Sequence, residues 1–223
     1  MTFFVTVSGF PTVTLQEYIT QVQLLLHDRD GQFYQQSDLI GYINSARNRL
    51  VRDTGCLRTL LTWYTVTGQE TYPLYQWTQA NTTVLDVINV NLYFGNTRYA
   101  LAYLPWTQFN ARMRFWQNFN QRPTACSLAG QQTLYLGPVP DQVYQMESDV
   151  VYLPAPLVAT TDSEVISEPY ISPIKYYAAH LAKMYEQSYN DAEMFRSRYN
   201  LEMQNVLKSS FTRRITTPYE GMV

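Results

Sequence analysis

Hydrophobic positions near the start of the chain predict two helices. Apolar residues in 15–26 recur at the three- and four-residue spacing of one helix face. Thr14 and Glu17 have the form of a capping box, in which each side chain bonds an unpaired backbone N–H at the helix start. A second apolar stripe runs through 39–51, and Gly55 lies where a helix C-terminus favours glycine. We expect these two helices to pack as a hairpin.

The pattern changes to that of strands after Leu57. Alternating β-branched and aromatic residues fill 60–67 and resume at 71–74, with Gly68-Gln69 between them, which predicts a β-hairpin. Turn residues predict two more hairpins, and a lone strand follows them. These further strands are predicted at 84–90, 98–101, 124–128, 133–136 and 149–153. Pro105 favours the first turn of a helix near 105–117.

The helical period returns in the last third of the chain. Ser172-Pro173 has the residue types of an N-cap and first turn, and an apolar stripe follows through 174–185. Asn190 with Glu193 predicts the cap of a final helix. Residues 212–223 carry no helical stripe and are expected to form an extended arm.

The order of elements predicts an α+β fold. The N- and C-terminal helices would form an antiparallel bundle that carries an inserted β-rich domain, sandwich- or barrel-like, and an extended C-terminal arm. The predicted divisions are an N-terminal extension at 1–13, helical segments at 14–56 and 167–211, the β-rich insertion at 57–166, and the arm at 212–223.

The amino-acid composition argues against several functional classes. Only 15% of the 223 residues are charged, and 16 Lys and Arg against 18 Asp and Glu give a net charge of −2. This balance argues against a dedicated DNA or RNA binder, which needs a basic surface. The 19 tyrosines and the scarcity of charge are typical of protein–protein interface cores. The chain start lacks the basic region of a signal peptide, and no apolar run reaches the length of a membrane span, so we expect no membrane association.

Candidate catalytic and metal-binding residues are few. The two cysteines and the two histidines, His27 and His180, are isolated in sequence, which predicts neither a metal site nor a disulfide framework. Asp28 and Asp30 flank a turn at Gly31 and are expected to be solvated. No phosphate-binding loop or nucleophile motif is found in the sequence. We therefore expect a non-enzymatic protein without a cofactor.

Two binding alternatives stay open at this point. The aromatic residues could build a platform for carbohydrate or protein, although the same spacing also suits an ordinary core or a subunit interface. These aromatic residues are Trp63, Tyr64, Tyr72, Trp77, Trp106 and Trp116. Four arginines could contact nucleic acid, but the charge balance argues against tight binding. They are Arg47, Arg49, Arg52 and Arg58.

Four segments together resemble a known family. Residues 38–47 read DLIGYINSAR, residues 66–74 read VTGQETYPL, and residues 134–141 read LYLGPVPD. Glu168-Pro169-Tyr170 then precedes a helix rich in Tyr and Ala at 176–182. In this order and spacing they resemble the head-to-tail adaptor, or connector, proteins of short-tailed bacteriophages.

The resemblance implies a structural virion protein of the tail or neck, assembled in the host cytoplasm. It implies a ring of twelve copies that joins the portal protein to the tail nozzle protein and lets DNA pass through its lumen, without catalysis. In the family, a C-terminal helix and tail bind between portal subunits. The corresponding residues here are Phe211, Thr212, Arg213, Arg214, Ile215 and Tyr219. The alternative is an aromatic-rich carbohydrate- or protein-binding module of a phage tail.

Overall fold

The computed structural model describes residues 13–77, 83–112, 119–130 and 132–211, with side chains as far as residue 208. These residues form helices and strands, and the predicted α+β class is confirmed. The helices are α1 (Leu15–Leu25), α2 (Gln36–Thr54), α3 (Trp106–Arg112), α4 (Ile174–Tyr185) and α5 (Tyr189–Phe211). The strands are β1 (Arg58–Tyr64), β2 (Thr71–Pro73), β3 (Val84–Phe94), β4 (Thr97–Ala100), β5 (Ala102–Tyr103), β6 (Ala125–Ala129), β7 (Thr133–Gly137) and β8 (Gln145–Tyr152).

The chain divides into two compact units. The helical unit contains the segments before Gly55 and after Ala155, and the β unit spans Gly55–Ala155. The division after residue 155 differs from the sequence-based boundary at 166, because residues 156–166 pack with the helical unit. Of the predicted N-terminal extension only Val13 is described, and the predicted arm at 212–223 lies outside the described residues.

The helical unit is built on α4, which contacts α1, α2 and α5. The capping box predicted for α1 is present, since Thr14 and Glu17 bond each other's backbone N–H. Helices α1, α2 and α4 each turn one apolar face inward. Their buried apolar residues are Leu15, Tyr18, Ile19 and Val22 of α1, Leu39, Ile43, Ala46, Leu50 and Val51 of α2, and Ile174, Ala178, Ala179 and Ala182 of α4.

The predicted caps of the last two helices are wrong. Helix α4 starts one residue later than expected, and its N-cap is Pro173, which supplies no side-chain bond. The carbonyl of Pro173 already accepts the N–H groups of the first turn, so a Ser172 cap is not needed. Helix α5 begins before Asn190, because the Ser188 carbonyl accepts the N–H of Ala192.

The β unit contains two four-stranded sheets. The first sheet has the order β1-β8-β3-β4 and the second has the order β2-β7-β6-β5. Pairing of β3 with β4 and of β6 with β7 confirms two of the predicted hairpins. Side chains from both sheets form one core, whose members include Leu61, Val90, Leu92, Met146 and Val150 of the first sheet and Tyr72, Cys126, Leu134 and Leu136 of the second.

The hairpin predicted from 60–67 and 71–74 is wrong. Strand β1 pairs with β8 in the first sheet, whereas β2 pairs with β7 in the second. The turn residues bond a different segment: the N–H of Gly68 donates to the carbonyl of Pro140, and that of Thr65 donates to the carbonyl of Tyr144. Gly68 has a positive φ of 78°, as its turn signal suggested, but the turn carries the chain from one sheet to the other.

Helix α3 packs on the second sheet. The ring of Trp106 lies 4.6 Å from that of Tyr135 and 6.0 Å from that of Phe109, measured between centroids. Phe109 is fully buried. The helix predicted near 105–117 is therefore present at Trp106–Arg112, and 113–117 lie outside the described residues.

Candidate interaction surfaces

Cys126 and His180, which were considered as catalytic or metal-binding residues, have structural roles. Cys126 is buried in the β unit, and burial raises the pKa of its thiol to about 12, so the reactive thiolate is suppressed. His180 Nδ1 lies 2.8 Å from the Ala192 carbonyl, which can only accept, so this nitrogen donates and joins α4 to α5. Within the described segments, no cluster of three or more His, Cys, Asp or Glu could hold a metal ion.

A buried ion pair forms the most polar part of the helical unit. Arg47 Nε and Nη2 donate to the two carboxylate oxygens of Glu164 at 2.7 and 2.8 Å, and the Arg47 side chain is only 1% exposed. Tyr18 donates its hydroxyl to Glu164 at 3.1 Å. Burial, followed by the negative charge of Glu164, raises the pKa of Tyr18. Arg47 therefore cannot contact nucleic acid, and the sequence-based suggestion for this residue is wrong.

The ion pair belongs to a wider network of hydrogen bonds that holds residues 157–166, the segment that follows the β unit. Asn44 on α2 exchanges two hydrogen bonds of 2.9 Å with the backbone of Leu157. The backbone N–H of Glu164 donates to the carbonyl of Val13, and Glu164 also accepts the N–H groups of Val165 and Ile166. Residues 157–166 are thereby fixed to α1 and α2.

Asp28 is a buried structural acid rather than the solvated turn residue expected from the sequence. Its carboxylate accepts the backbone N–H groups of Gln32, Phe33 and Tyr34, each at 3.0 Å. Burial acts to raise the pKa of Asp28, but the three N–H donors outweigh it and hold the pKa below its ordinary value of 3.8. The Asp28 carboxylate therefore stabilises the conformation of the loop between α1 and α2.

The helical unit should lose stability in acid. The pKa values of Asp28 and Asp162 are both lowered in the fold, in Asp162 by the N–H groups of Val158 and Ala159. A lowered folded pKa means that each bonded carboxylate stabilises the fold above the unfolded value near 3.8 and stops doing so as the pH falls through the folded pKa.

Thermal unfolding measured between about pH 6 and pH 2 should show this loss. A chain with Asp28→Asn and Asp162→Asn should be less stable at neutral pH and should have a shallower decline in acid. An unchanged acid decline in this double variant would contradict the assignment.

A groove lies between α2 and α4. It has a volume of about 490 Å³, and its lining is rich in tyrosine, arginine and small polar side chains. The lining residues are Tyr42, Ser45, Asn48, Arg49, Arg52, Tyr177 and Leu181. Arg49 pairs with Asp53 at 2.9 Å, and Tyr199 donates to the same Asp53 oxygen at 3.0 Å. We call this feature the α2–α4 groove.

The first sheet has an exposed side, which we call the outer face. It is defined by the side chains of β1 and β8 that point away from the core and are not buried, namely Arg58, Leu60, Thr62, Tyr64, Gln145, Glu147 and Asp149. Leu60 is 58% exposed and Tyr64 is 61% exposed. Glu147 accepts hydrogen bonds from Tyr93 and Arg98. The face thus combines apolar and acidic groups.

A third surface is a shallow cleft of about 490 Å³ around Arg122 in the β unit. The Arg122 guanidinium carbon lies 5.3 Å from the ring centre of Phe94 and 4.9 Å from that of Tyr99. Across the cleft, Tyr144 donates to Asp141 at 2.7 Å. Exposed aromatic rings and arginine side chains are common in protein interfaces.

The aromatic residues considered as a platform do not form one cluster, and Tyr64 lies apart from the others on the exposed outer face. Trp63 packs against Tyr72 and Trp77, each at 4.8 Å between ring centres, at the edge of the β-unit core. Trp106 instead packs on Tyr135. Trp116 lies outside the described residues. The described aromatic residues therefore serve mainly as packing groups.

The helical unit carries exposed aromatic residues near its connections. Phe33, in the loop between α1 and α2, is 86% exposed, and Tyr185, at the end of α4, is 80% exposed. The Lys183 ammonium lies 5.7 Å from the ring centre of Tyr34, so the loop meets the end of α4. Sequence periodicity did not single out Phe33, since a lone aromatic residue in a loop carries no pattern. It placed Tyr185 in the apolar stripe through 174–185, but the exposure of Tyr185 shows that the buried face of α4 ends before this residue.

Of the residues predicted to bind the portal, only the first has a described backbone. Phe211 is the last residue of α5, and its side chain is not described. Thr212, Arg213, Arg214, Ile215 and Tyr219 lie outside the described residues. These assignments stay predictions.

Comparison with known protein families identifies the class. Residues 13–219, which include nearly all of both units, match the family model described as SU10 adaptor protein. The match defines the chain as a phage structural adaptor, a virion component that associates with other head-tail proteins. The chain belongs to the SU10 adaptor protein family. No curated protein matches the sequence. In the part of the chain that the structure describes, no helix has the length and hydropathy of a membrane span.

Proposed function

We propose that the protein forms the head-to-tail adaptor ring of a short-tailed phage. Twelve copies join the portal protein to the tail nozzle protein in the tail or neck of the virion, and DNA passes through the lumen. The observation that carries this proposal is the family match over residues 13–219. The protein acts by binding and catalyses no reaction, and it assembles in the host cytoplasm.

The architecture suits such a role. We interpret the helical unit as a discontinuous bundle with the β unit as its insertion, so that each copy offers two separately folded surfaces to its neighbours. The α2–α4 groove lies on one unit, and the outer face and the Arg122 cleft lie on the other. Interfaces of this kind are enriched in aromatic residues and arginine, and all three surfaces contain both.

The charge distribution supports DNA passage rather than DNA binding. The chain has a net charge of −2, Arg47 is buried, and Arg49 is neutralised by Asp53. Tight non-specific binding requires many unpaired cations that replace the counterions of the phosphates. DNA can then slide through the ring without being held.

Deleting residues 212–223 should leave a folded protein that no longer joins the portal. An extended segment is costly to order, so it contributes to binding only where a partner supplies buried area and hydrogen bonds. Negative-stain electron microscopy and co-sedimentation with the portal protein of the same phage would measure complex formation. The matched control is a chain whose last twelve residues, 212–223, are kept but placed in scrambled order.

Three outcomes distinguish the explanations. Portal capping by the full chain, but by neither altered chain, supports the ring and the role of the arm. Undiminished portal binding by the truncated chain would refute the role of the arm. A full chain that joins neither itself nor the portal would refute the adaptor ring and favour an aromatic-rich binding module of the tail.

A further inference from the structure

The α2–α4 groove contains one cation whose charge is not balanced. Arg52 lies in the last turn of α2, is exposed, and has no ion-pair partner among the residues that the structure describes. Its neighbour Arg49 already uses Asp53, which is further held by Tyr199. The hydroxyl and amide groups of Tyr42, Ser45 and Asn48, in the same lining, can donate hydrogen bonds. The groove therefore suits a carboxylate.

The outer face of the first sheet contains the opposite charge. Asp149, at the centre of this face, lies opposite Leu60 on β1 and Asn89 on β3. It is half-buried, and within the described parts of the chain no cation or hydrogen-bond donor contacts its carboxylate. The next acid along β8, Glu147, is already paired with Arg98. Asp149 is thus a carboxylate beside exposed apolar surface.

We propose that the α2–α4 groove of one copy receives the outer face of a second copy, with Arg52 of the first copy bonded to Asp149 of the second. This inference rests on the proposed ring. Arg52 and Asp149 are complementary in charge, and each surface also has apolar or aromatic surface to bury, from Tyr177 and Leu181 in the groove and Leu60 and Tyr64 on the face. Arginine bonds a carboxylate through two parallel N–H groups, which fixes orientation as well as affinity.

The proposed contact is head-to-tail, because the two patches differ. Such a contact uses one patch on each neighbour and leaves the other patch free for the next copy, so it propagates and closes where the rotation allows a ring. A symmetric pair would instead bury the same patch twice. Because each contact joins residue 52 of one copy to residue 149 of the next, the proposal can be tested by mixing two charge-reversed variants.

The experiment uses Arg52→Glu and Asp149→Arg, each in the full chain. Either reversal alone places like charges across every contact and should weaken self-association by at least about tenfold. In an equimolar mixture, every contact of an alternating ring is attractive, either as in the wild type or with both charges exchanged. The mixture should therefore assemble although neither variant does so alone. Sedimentation velocity and mass photometry, with and without the portal protein, would measure assembly.

Two control variants make the same charge changes elsewhere. Arg196→Glu on α5 and Asp30→Arg in the loop after α1 alter exposed residues that belong to neither patch. They should assemble as the wild type does. Circular dichroism confirms folding of each variant, and Asp149→Asn, which removes the charge with little change in shape, should weaken assembly less than the reversal does.

The outcomes distinguish this inference from the proposed function. If the wild type assembles and the single reversals assemble equally well, or if the mixture of folded variants assembles no better than each alone, the Arg52–Asp149 contact is refuted and the ring stands. If the wild type assembles neither alone nor on the portal, the ring itself is refuted, and this contact with it.

Discussion

Glu164→Gln should lower the free energy of unfolding by about 3–5 kcal/mol, because it leaves the Arg47 guanidinium charged and buried without a counter-charge. The pair is almost wholly inaccessible, with side-chain exposures of 1% and 0%, so water cannot replace the lost partner. Arg47→Met should cost a similar amount, since it strands the carboxylate in the same site. Chemical denaturation monitored by circular dichroism would measure both.

The double variant separates charge burial from loss of packing. Arg47→Met with Glu164→Gln removes both charges, keeps an oxygen that can accept the N–H groups of Val165 and Ile166, and should be less destabilised than the sum of the single variants. The matched control is Arg196→Met, whose guanidinium is exposed and 4.0 Å from Glu193; its effect should stay below about 1 kcal/mol. Additive losses in the double variant would contradict a coupled pair.

Phe109→Ala should destabilise the β unit by about 3–5 kcal/mol, which is the usual cost of truncating a fully buried phenylalanine. Its ring joins α3 to the second sheet through Trp106 and Tyr135, at 6.0 and 6.3 Å between centroids. A cavity at this position would leave the contact of Trp106 with Tyr135, at 4.6 Å between centroids, to hold this short helix on the sheet. Urea unfolding, followed by tryptophan fluorescence, would measure the stability.

Phe33→Ala is the matched control, because it removes the same ring from a position that is 86% exposed. The backbone N–H of Phe33 still donates to Asp28 after the substitution. Its effect on unfolding should stay within about 0.5 kcal/mol. A loss at Phe109 no larger than the loss at Phe33 would show that α3 does not depend on this contact.

The elements predicted well from the sequence are those whose signals are local. The cap of α1 lies within four residues, and the hairpins β3–β4 and β6–β7 turn at Gly95 and Gly130, which have positive φ angles of 60° and 59°. Glycine adopts such angles without steric cost, so the sequence position identifies the turn. The α1 cap and these two turns depend little on residues that are distant in the sequence.

The prediction failed where a distant segment decides the pairing. Strand β1 has the right residues for a strand, but its partner is β8, about eighty residues further along, and the sequence around Gly68 does not specify that choice. The Ser172 cap failed for a related reason, since backbone carbonyls already satisfied the helix start.

The sequence was also insufficient to predict the roles of the candidate site residues. Arg47 resembles an exposed arginine in a polar stretch of α2, yet it is paired and buried with Glu164, which is 117 residues away in sequence. Asp28 resembles a solvated turn residue, yet it bonds the N–H groups of the loop that follows it. Arg52 and Asp149 became candidates because the structure shows which charges are already paired. The sequence gives the residue types, whereas contacts in the folded protein decide which charged side chains stay unpaired and can bind a partner.

The pairing of β1 with β8 also affects how the chain can fold. Leu57, just after the β unit begins, accepts a hydrogen bond from the N–H of Tyr152, near its end. Packing of α2 against α4 closes a loop of more than a hundred residues when the β unit is unfolded. Folding of the β unit first shortens that loop to roughly 25 residues, which reduces the entropy cost of closure by roughly 1.4 kcal/mol. The inserted unit would then act as a scaffold that brings the two halves of the helical unit together, and early pairing of β1 with β8 would speed the folding of both.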